Sequence, residues 1–292
     1  MKNQNLQAWG LLIILSLIWG SSFILIKRGL EVFGPGEVGA LRILAAAVFM
    51  LPVAIPQLRK LSRYHIKLLF GIGLLGSFIP AFLFAVGQTR LDSGITGVLN
   101  GLTPIFVLVI GAVFYKQKVG KDKVLGLITA IVGTGVLLLA GSGGDLSQLN
   151  FYALFIVAAT ICYGTNLNVI KFHLADLKPL VITGVSVVFM GPLAAIYLFG
   201  FTDFTVTVQE AEGAWRAIGF ISLLGIMGTA IALILFNHLV QITTPIFTST
   251  VTYFIPVVAI GWGLFDGEIL ITGQIIGIVA IFAGVFITNR KK

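Results

Sequence analysis

The chain has 292 residues, of which 58% are hydrophobic and 10% charged. A soluble domain carries roughly 25% charged residues, so this chain could not cover its surface in water, and most of it is solvated by lipid. The formal net charge of +8 would suggest a nucleic-acid partner in a soluble protein. Here the basic residues sit in short loops, where they report orientation instead. Glycine accounts for 35 residues, and in lipid small residues let helix backbones approach closely. The single cysteine, Cys162, can form no intrachain disulfide and reads as a packed side chain.

A helix needs about 20 apolar residues to cross the hydrocarbon core. In chain order the sequence predicts spans at Ala8–Ile26, Val38–Ile55, Leu68–Val86, Gly94–Tyr115 and Val124–Ala140. The second set is Phe151–Ile170, Leu180–Phe201, Ala217–Phe236, Thr244–Phe265 and Ile269–Thr288. Only the second span carries a charge, Arg42. The first run is of full spanning length and has no small-x-small cleavage pattern, so it reads as a retained helix rather than a signal peptide. The longest connection, Thr202 to Arg216, is too short for a domain.

Sorting Lys and Arg by loop gives the direction. With the N-terminus inside, the inner set is Lys2, Arg59, Lys60, Arg63, Lys67, Lys116, Lys118, Lys121, Lys123, Lys171, Lys178, Arg290, Lys291 and Lys292. The outer set is Lys27, Arg28, Arg90 and Arg216. This bias puts both termini in the cytoplasm.

The sequence also resembles itself. Ser16, Trp19, Gly20, Ser21, Ser22 and Lys27 on span one align with Thr160, Tyr163, Gly164, Thr165, Asn166 and Lys171 on span six. Thr96, Asn100 and Pro104 on span four align with Thr248, Thr252 and Pro256 on span nine. Phe114, Gly126 and Gly133 align with Phe265, Gly277 and Gly284. Five spans per unit is an odd number, so the second unit enters the membrane from the opposite side. The expected fold is an all-α membrane protein of ten transmembrane helices, arranged as two inverted five-helix repeats at 1–141 and 150–292. Two similar halves of opposite orientation can adopt two conformations of nearly equal energy, one open to each face.

These features resemble the drug/metabolite transporter superfamily and its ten-helix EamA-type members. The residues that carry the likeness are Trp19-Gly20-Ser21-Ser22-Phe23, Arg42, Pro104, Pro256, and Phe265-Asp266-Gly267-Glu268 leading to Gly277 and Gly284. The first repeat departs at Gln117, where a glutamate would be expected. The resemblance spans essentially the whole chain. It implies two bundles around a central cavity and movement of metabolites, commonly export of amino acids or related compounds. Import or exchange of another metabolite class, such as nucleotide-sugars, is the competing transport reading. The implied localisation is the cell membrane, in bacteria the inner membrane, and the implied partners are a small-molecule substrate and the lipid bilayer. Monomer and homodimer both fit.

In such folds the site lies near the midplane between the repeats. Thr96, Asn100 and Thr103 fall on one face of span four at i, i+4 and i+7. Thr248 and Thr252 match them on span nine, and Trp19, Ser22, Tyr163 and Asn166 supply spans one and six. Each polar group is either a substrate contact or an interhelical hydrogen bond worth roughly 0.6 kcal/mol. Pro104 and Pro256 each remove a backbone donor, either freeing a carbonyl for a ligand or making a hinge. Arg42 either anchors a substrate carboxylate bidentately or snorkels to the outer interface. Lys27 and Lys171 read as helix-end charges, with substrate gating as the other option.

An integral-membrane enzyme is the rival class. His65, His173 and His238 lack metal-site spacing, no P-loop is present, and Glu37, Asp92, Asp266 and Glu268 all lie near the outer boundary. No catalytic group, cofactor, metal or coupling ion is implied.

Overall fold

Hydropathy sets the elements, and the computed structural model, which describes residues 2–117, 120–145, 150–242 and 251–289, shows them as helices. They are α1 (Lys2–Leu30), α2 (Pro35–Leu58), α3 (Arg63–Gly87), α4 (Ser93–Tyr115) and α5 (Lys121–Gly141). The second set opens with α6 (Ala153–His173) and α7 (Pro179–Gly200). Next, α8 is built from Ala214–Leu223, Leu224–Ile231 and Ala232–Ile242. It is followed by α9 (Val251–Phe265) and α10 (Thr272–Asn289). A short helix, Phe204–Glu210, lies in the connection before α8. Among the described residues there is no strand. Eight of these helices are long and apolar enough to span a bilayer, with two shorter apolar ones at the end.

The ends follow local chemistry. Pro35 opens α2 in its first turn, where a missing N–H costs nothing, and the Glu37 carboxylate accepts from the Gly34 N–H at 2.8 Å. Ser62 caps α3 by accepting from the His65 N–H at 3.2 Å.

Each helix of the first set that pairs with its counterpart runs antiparallel to it, as two inverted units require. Along α5 and α10, a Cβ on Gly277 would stand 2.6 Å from the Leu137 nitrogen, and one on Gly284 would stand 2.4 Å from the Ala130 nitrogen. Along α2 and α7, Gly36 meets Tyr197, Ala47 meets Gly191 and Val53 meets Gly184. Along α4 and α9, Gly94 meets Ile260, Gly97 meets Ala259 and Gly101 meets Pro256. Except at Gly94 and Gly101, whose partners stand 3.5 and 3.6 Å from an added Cβ, these are approaches that even a methyl group would crowd, the physical use of glycine where lipid provides no hydrophobic drive. The remaining contacts obey the same two-fold pattern: α1 packs on α8 and α9, while α6 packs on α3 and α4.

Two departures from regular helix bear on the site. First, α3 and α8 each contain a π-helical stretch, Leu74–Phe78 and Leu224–Ile231. Each overlaps a Leu-Leu-Gly, at Leu74-Leu75-Gly76 and Leu223-Leu224-Gly225. Second, α4 is not continuous. It breaks at Gly101-Leu102, and Thr103 opens a second segment. Pro104 therefore stands in a first helical turn and not in mid-helix as the sequence pattern suggests, and Thr103 no longer extends the face of Thr96 and Asn100. The Asn100 carbonyl is taken by the Thr103 hydroxyl, which donates to it at 2.8 Å. Pro256, its repeat counterpart, does lie inside a helix.

Candidate functional site

Four helices, α1, α2, α6 and α8, bring polar groups together, and α3 packs against them. Trp19 of α1 donates its indole Nε1–H to the Gly228 carbonyl at 2.9 Å. Arg42 of α2 donates its Nε–H to the hydroxyl of the next residue, Thr229, at 3.2 Å. A π turn shifts the backbone register, and here both contacts fall on consecutive residues of it. The Tyr163 hydroxyl of α6 stands beside the Arg42 guanidinium, and its ring stacks with Phe84 of α3 at a centroid distance of 6.0 Å. One turn along α6, the Asn166 carboxamide lies against Gly76, where a Cβ would come within 2.8 Å. Gly76 belongs to the π stretch of α3.

The repeat symmetry is visible in this packing. Ser22 and Asn166 are counterparts in the two halves. A Cβ on Gly228 would lie 3.0 Å from the Ser22 hydroxyl, so each π stretch faces a polar residue from the first helix of the other unit.

Arg42 points into the protein rather than outward to the interface. It is half-buried, and among the described residues no carboxylate lies within ion-pair distance of it. Its neighbours are neutral oxygens. A guanidinium deep in a bilayer costs roughly 2.5–3.5 kcal/mol on insertion scales, so such an unpaired cation marks a place where an anion can be received. Two more groups are incomplete in the same sense. The Oδ1 atoms of Asn100 and Asn166 are buried with no hydrogen-bond partner, and an orphaned buried acceptor costs about 1–3 kcal/mol.

Other sequence candidates sit differently. Thr96 is fully buried, and its hydroxyl donates to the Asp92 carbonyl at 2.9 Å. Ser22 is buried and donates to the Ile18 carbonyl at 3.0 Å. Both hydroxyl protons are committed within their own helices. Thr248 and the side chain of Thr252 lie outside the described residues. Residues the sequence reading passed over include Thr229, which holds Arg42, and Gln88. The latter is buried and donates to the Phe23 carbonyl at 2.9 Å, with its Oε1 unpartnered. A lone polar residue beside glycine in an apolar run, as in Gly228-Thr229, was the available signal for the first.

A second polar cluster joins the α9–α10 turn to α1 and the start of α4. The Glu268 carboxylate accepts from the Ser93 N–H at 2.9 Å, the Ser93 hydroxyl at 2.6 Å and the Gly94 N–H at 3.0 Å. Lys27 donates to it at 2.9 Å and bridges to Asp266 at 2.6 Å. Arg28 reaches both Glu31 and Asp266. A carboxylate at the first turn of α4 meets unpaired N–H groups and the positive end of the helix. Burial pushes the Glu268 carboxyl up, but the bonds from Ser93, Gly94 and Lys27 outweigh it and hold the group below its ordinary value. The hydrogen bond from Lys27 does the same for Asp266, aided by the charge of Arg28. Separately, a surface cavity of about 450 Å³ lies between the ends of α2 and α7, lined by Lys60, Asp176 and Lys178 among others; it is not part of either cluster.

The model of the EamA-like transporter family matches the sequence twice, over residues 7–139 and 150–290. The chain belongs to the EamA-like transporter family. An uncharacterized transporter of Archaeoglobus fulgidus is 25% identical over 98% of this chain and 100% of its own length. The uncharacterized inner membrane transporter YedA of Escherichia coli K12 is 26% identical over 99% of this chain and 92% of its own. YoaV, an uncharacterized transporter of Bacillus subtilis, is 26% identical over 96% and 97%. A protein of known crystal structure shares the fold, with a TM-score of 0.62 at 16% identity over 96% of this chain and 95% of that one. The EamA-family chain is thus a multi-pass membrane protein and a transporter.

Proposed function

We propose that this transporter exports amino acids or related carboxylate-bearing amines by alternating access. The two units, 1–141 and 150–292, enclose the polar cluster and expose it to one side of the membrane at a time. The observation that carries this is Arg42, half-buried among α2, α6 and α8 with only neutral oxygens around it. A substrate carboxylate supplies the missing anion and accepts from the guanidinium fork. The unpartnered oxygens of Asn100 and Asn166 accept from an ammonium group, so a zwitterion satisfies both deficits. Trp19 and Tyr163 frame the substrate, and Pro104 and Pro256 serve as hinges of α4 and α9. The positive-inside bias puts both termini in the cytoplasm. The name of YedA, an inner membrane transporter, supports the bacterial inner membrane as location. The outward direction follows the resemblance to family exporters.

The test is a counterflow screen with purified protein in liposomes. Labelled amino acids should accumulate against unlabelled substrate, and Arg42→Gln should abolish this. Counterflow of neutral or cationic metabolites alone, unaffected by Arg42→Gln, would overturn the assignment.

A further inference from the structure

The two units differ in charge at one matched position. At the offset that aligns Phe114 with Phe265, Gln117 corresponds to Glu268, and on the first helices Lys171 corresponds to Lys27; a glycine precedes each of the first pair, Gly111 before Gln117 and Gly263 before Glu268. Both side chains follow a turn that folds back onto its glycine: the Gln117 N–H donates to the Gly111 carbonyl at 3.1 Å and the Glu268 N–H to the Gly263 carbonyl at 2.8 Å. A Cβ on Gly263 would meet Glu268 Oε2 at 2.2 Å, and one on Gly111 would meet Gln117 Nε2 at 2.8 Å. Each glycine thus makes room for the side chain that folds back over it. The chemistry is not preserved. The Glu268 side chain is 7% exposed and takes bonds from Ser93, Gly94 and Lys27, linking the α9–α10 turn to α1 and to the start of α4. Among the described residues the Gln117 side chain makes one long hydrogen bond, from its Nε2 to the Asn168 Oδ1 at 3.5 Å. Among the described residues Lys171 has no carboxylate within ion-pair distance; it lies over the Phe172 ring at 5.2 Å.

Separating α4 from the α9–α10 turn breaks charge-assisted bonds to a largely buried carboxylate, which are roughly twice as strong as neutral ones. Gln117, the matched side chain at the other end, carries no charge and can offer neutral hydrogen bonds only. We infer that Glu268 is the gating residue of this carrier. Its carboxylate holds its own end shut, while the neutral Gln117 leaves the opposite end easier to open, so the empty protein rests open at the Gln117 end. This rests on the alternating-access reading above. It adds to that reading an unequal resting population, set by one residue.

The experiment measures spin-label distances in liposomes in a Cys162→Ser background. Labels at Thr89→Cys and Ile271→Cys report the Glu268 end; labels at Lys121→Cys and Ala175→Cys report the Gln117 end. The expected wild-type result is a short distance at the first pair and a longer component at the second. Glu268→Gln should raise the open population at the Glu268 end by at least about tenfold, with Glu268→Asp restoring the short distance. Gln117→Glu, which removes no buried charge and so should fold, should close its own end and open the other. Two populations that neither variant shifts would overturn the gating role. One fixed distance at both ends in every variant would instead overturn alternating access itself.

Discussion

Arg42 of α2 donates to Thr229 of α8 at 3.2 Å, which sets a cation against a π-helical turn. A fork of planar donors suits a carboxylate in a way a lysine does not. Arg42→Lys should therefore fold, as judged by a monodisperse gel-filtration peak, yet raise the KM for amino-acid counterflow about tenfold or more. Thr229→Val removes only the positioning bond, worth about 1 kcal/mol, and should raise KM about fivefold. Equal loss of folded yield and uptake in both variants would assign the pair to packing.

Asn100 and Asn166 make the opposite prediction for stability. Each Oδ1 is buried without a partner, so replacing Asn100 by Leu removes an unmet acceptor. Thermal unfolding of Asn100→Leu should occur at or above the wild-type temperature, while transport falls at least tenfold. Tyr163→Ala should likewise cost transport more than fold, although it also loses the stacking on Phe84. A destabilised Asn100→Leu that still transports would show that the amide has a structural partner instead.

The contact of α5 with α10 should be sensitive to a single methyl group. A Cβ on Gly277 would lie 2.6 Å from the Leu137 nitrogen, and backbone cannot yield as a side chain does. Gly277→Ala should destabilise the protein by about 1–3 kcal/mol, the usual cost of overpacking. Gly135→Ala on α5, where nothing lies within 4 Å, is the control and should unfold like wild type.

Much of this arrangement was legible in the residues. Hydropathy located the helices, because charge is so costly in lipid that the runs stand out; residues 244–250 of the ninth span lie outside the described residues. The repeat of Trp19-Gly20 in Tyr163-Gly164 anticipated two inverted units, but not that α2 would pair with α7 and α5 with α10. The two π stretches were not legible, since one extra residue per turn leaves no mark on an apolar run. Nor was the break at Gly101-Leu102, where Thr103-Pro104 reads equally well as a kink or a fresh start. The Lys27–Glu268 bridge spans 241 positions and depends on how the halves meet, which composition does not encode. Helix-face arithmetic placed Thr96 with Asn100 but could not show that its hydroxyl is already bonded to its own backbone.

Acid should act through the Glu268 cluster with a definite sign. Glu268 and Asp266 are both held below their ordinary carboxylate values. Their contribution to stability is therefore complete above the ordinary range, near pH 4, and is lost as pH falls through the lowered folded values. In thermal unfolding, Glu268→Gln should melt below wild type at pH 7, and the gap should close below about pH 4. A gap that stays constant down to pH 3 would mean that the carboxylate charge contributes nothing.

The central claim is that one polar cluster is reachable from both faces of the membrane in turn. In a Cys162→Ser background, Asn166→Cys can be challenged with a membrane-impermeant thiol reagent added to one side and then, separately, to the other. The account predicts modification from each side, with amino-acid substrate slowing both. Labelling from one face only, whatever substrate is present, would contradict it.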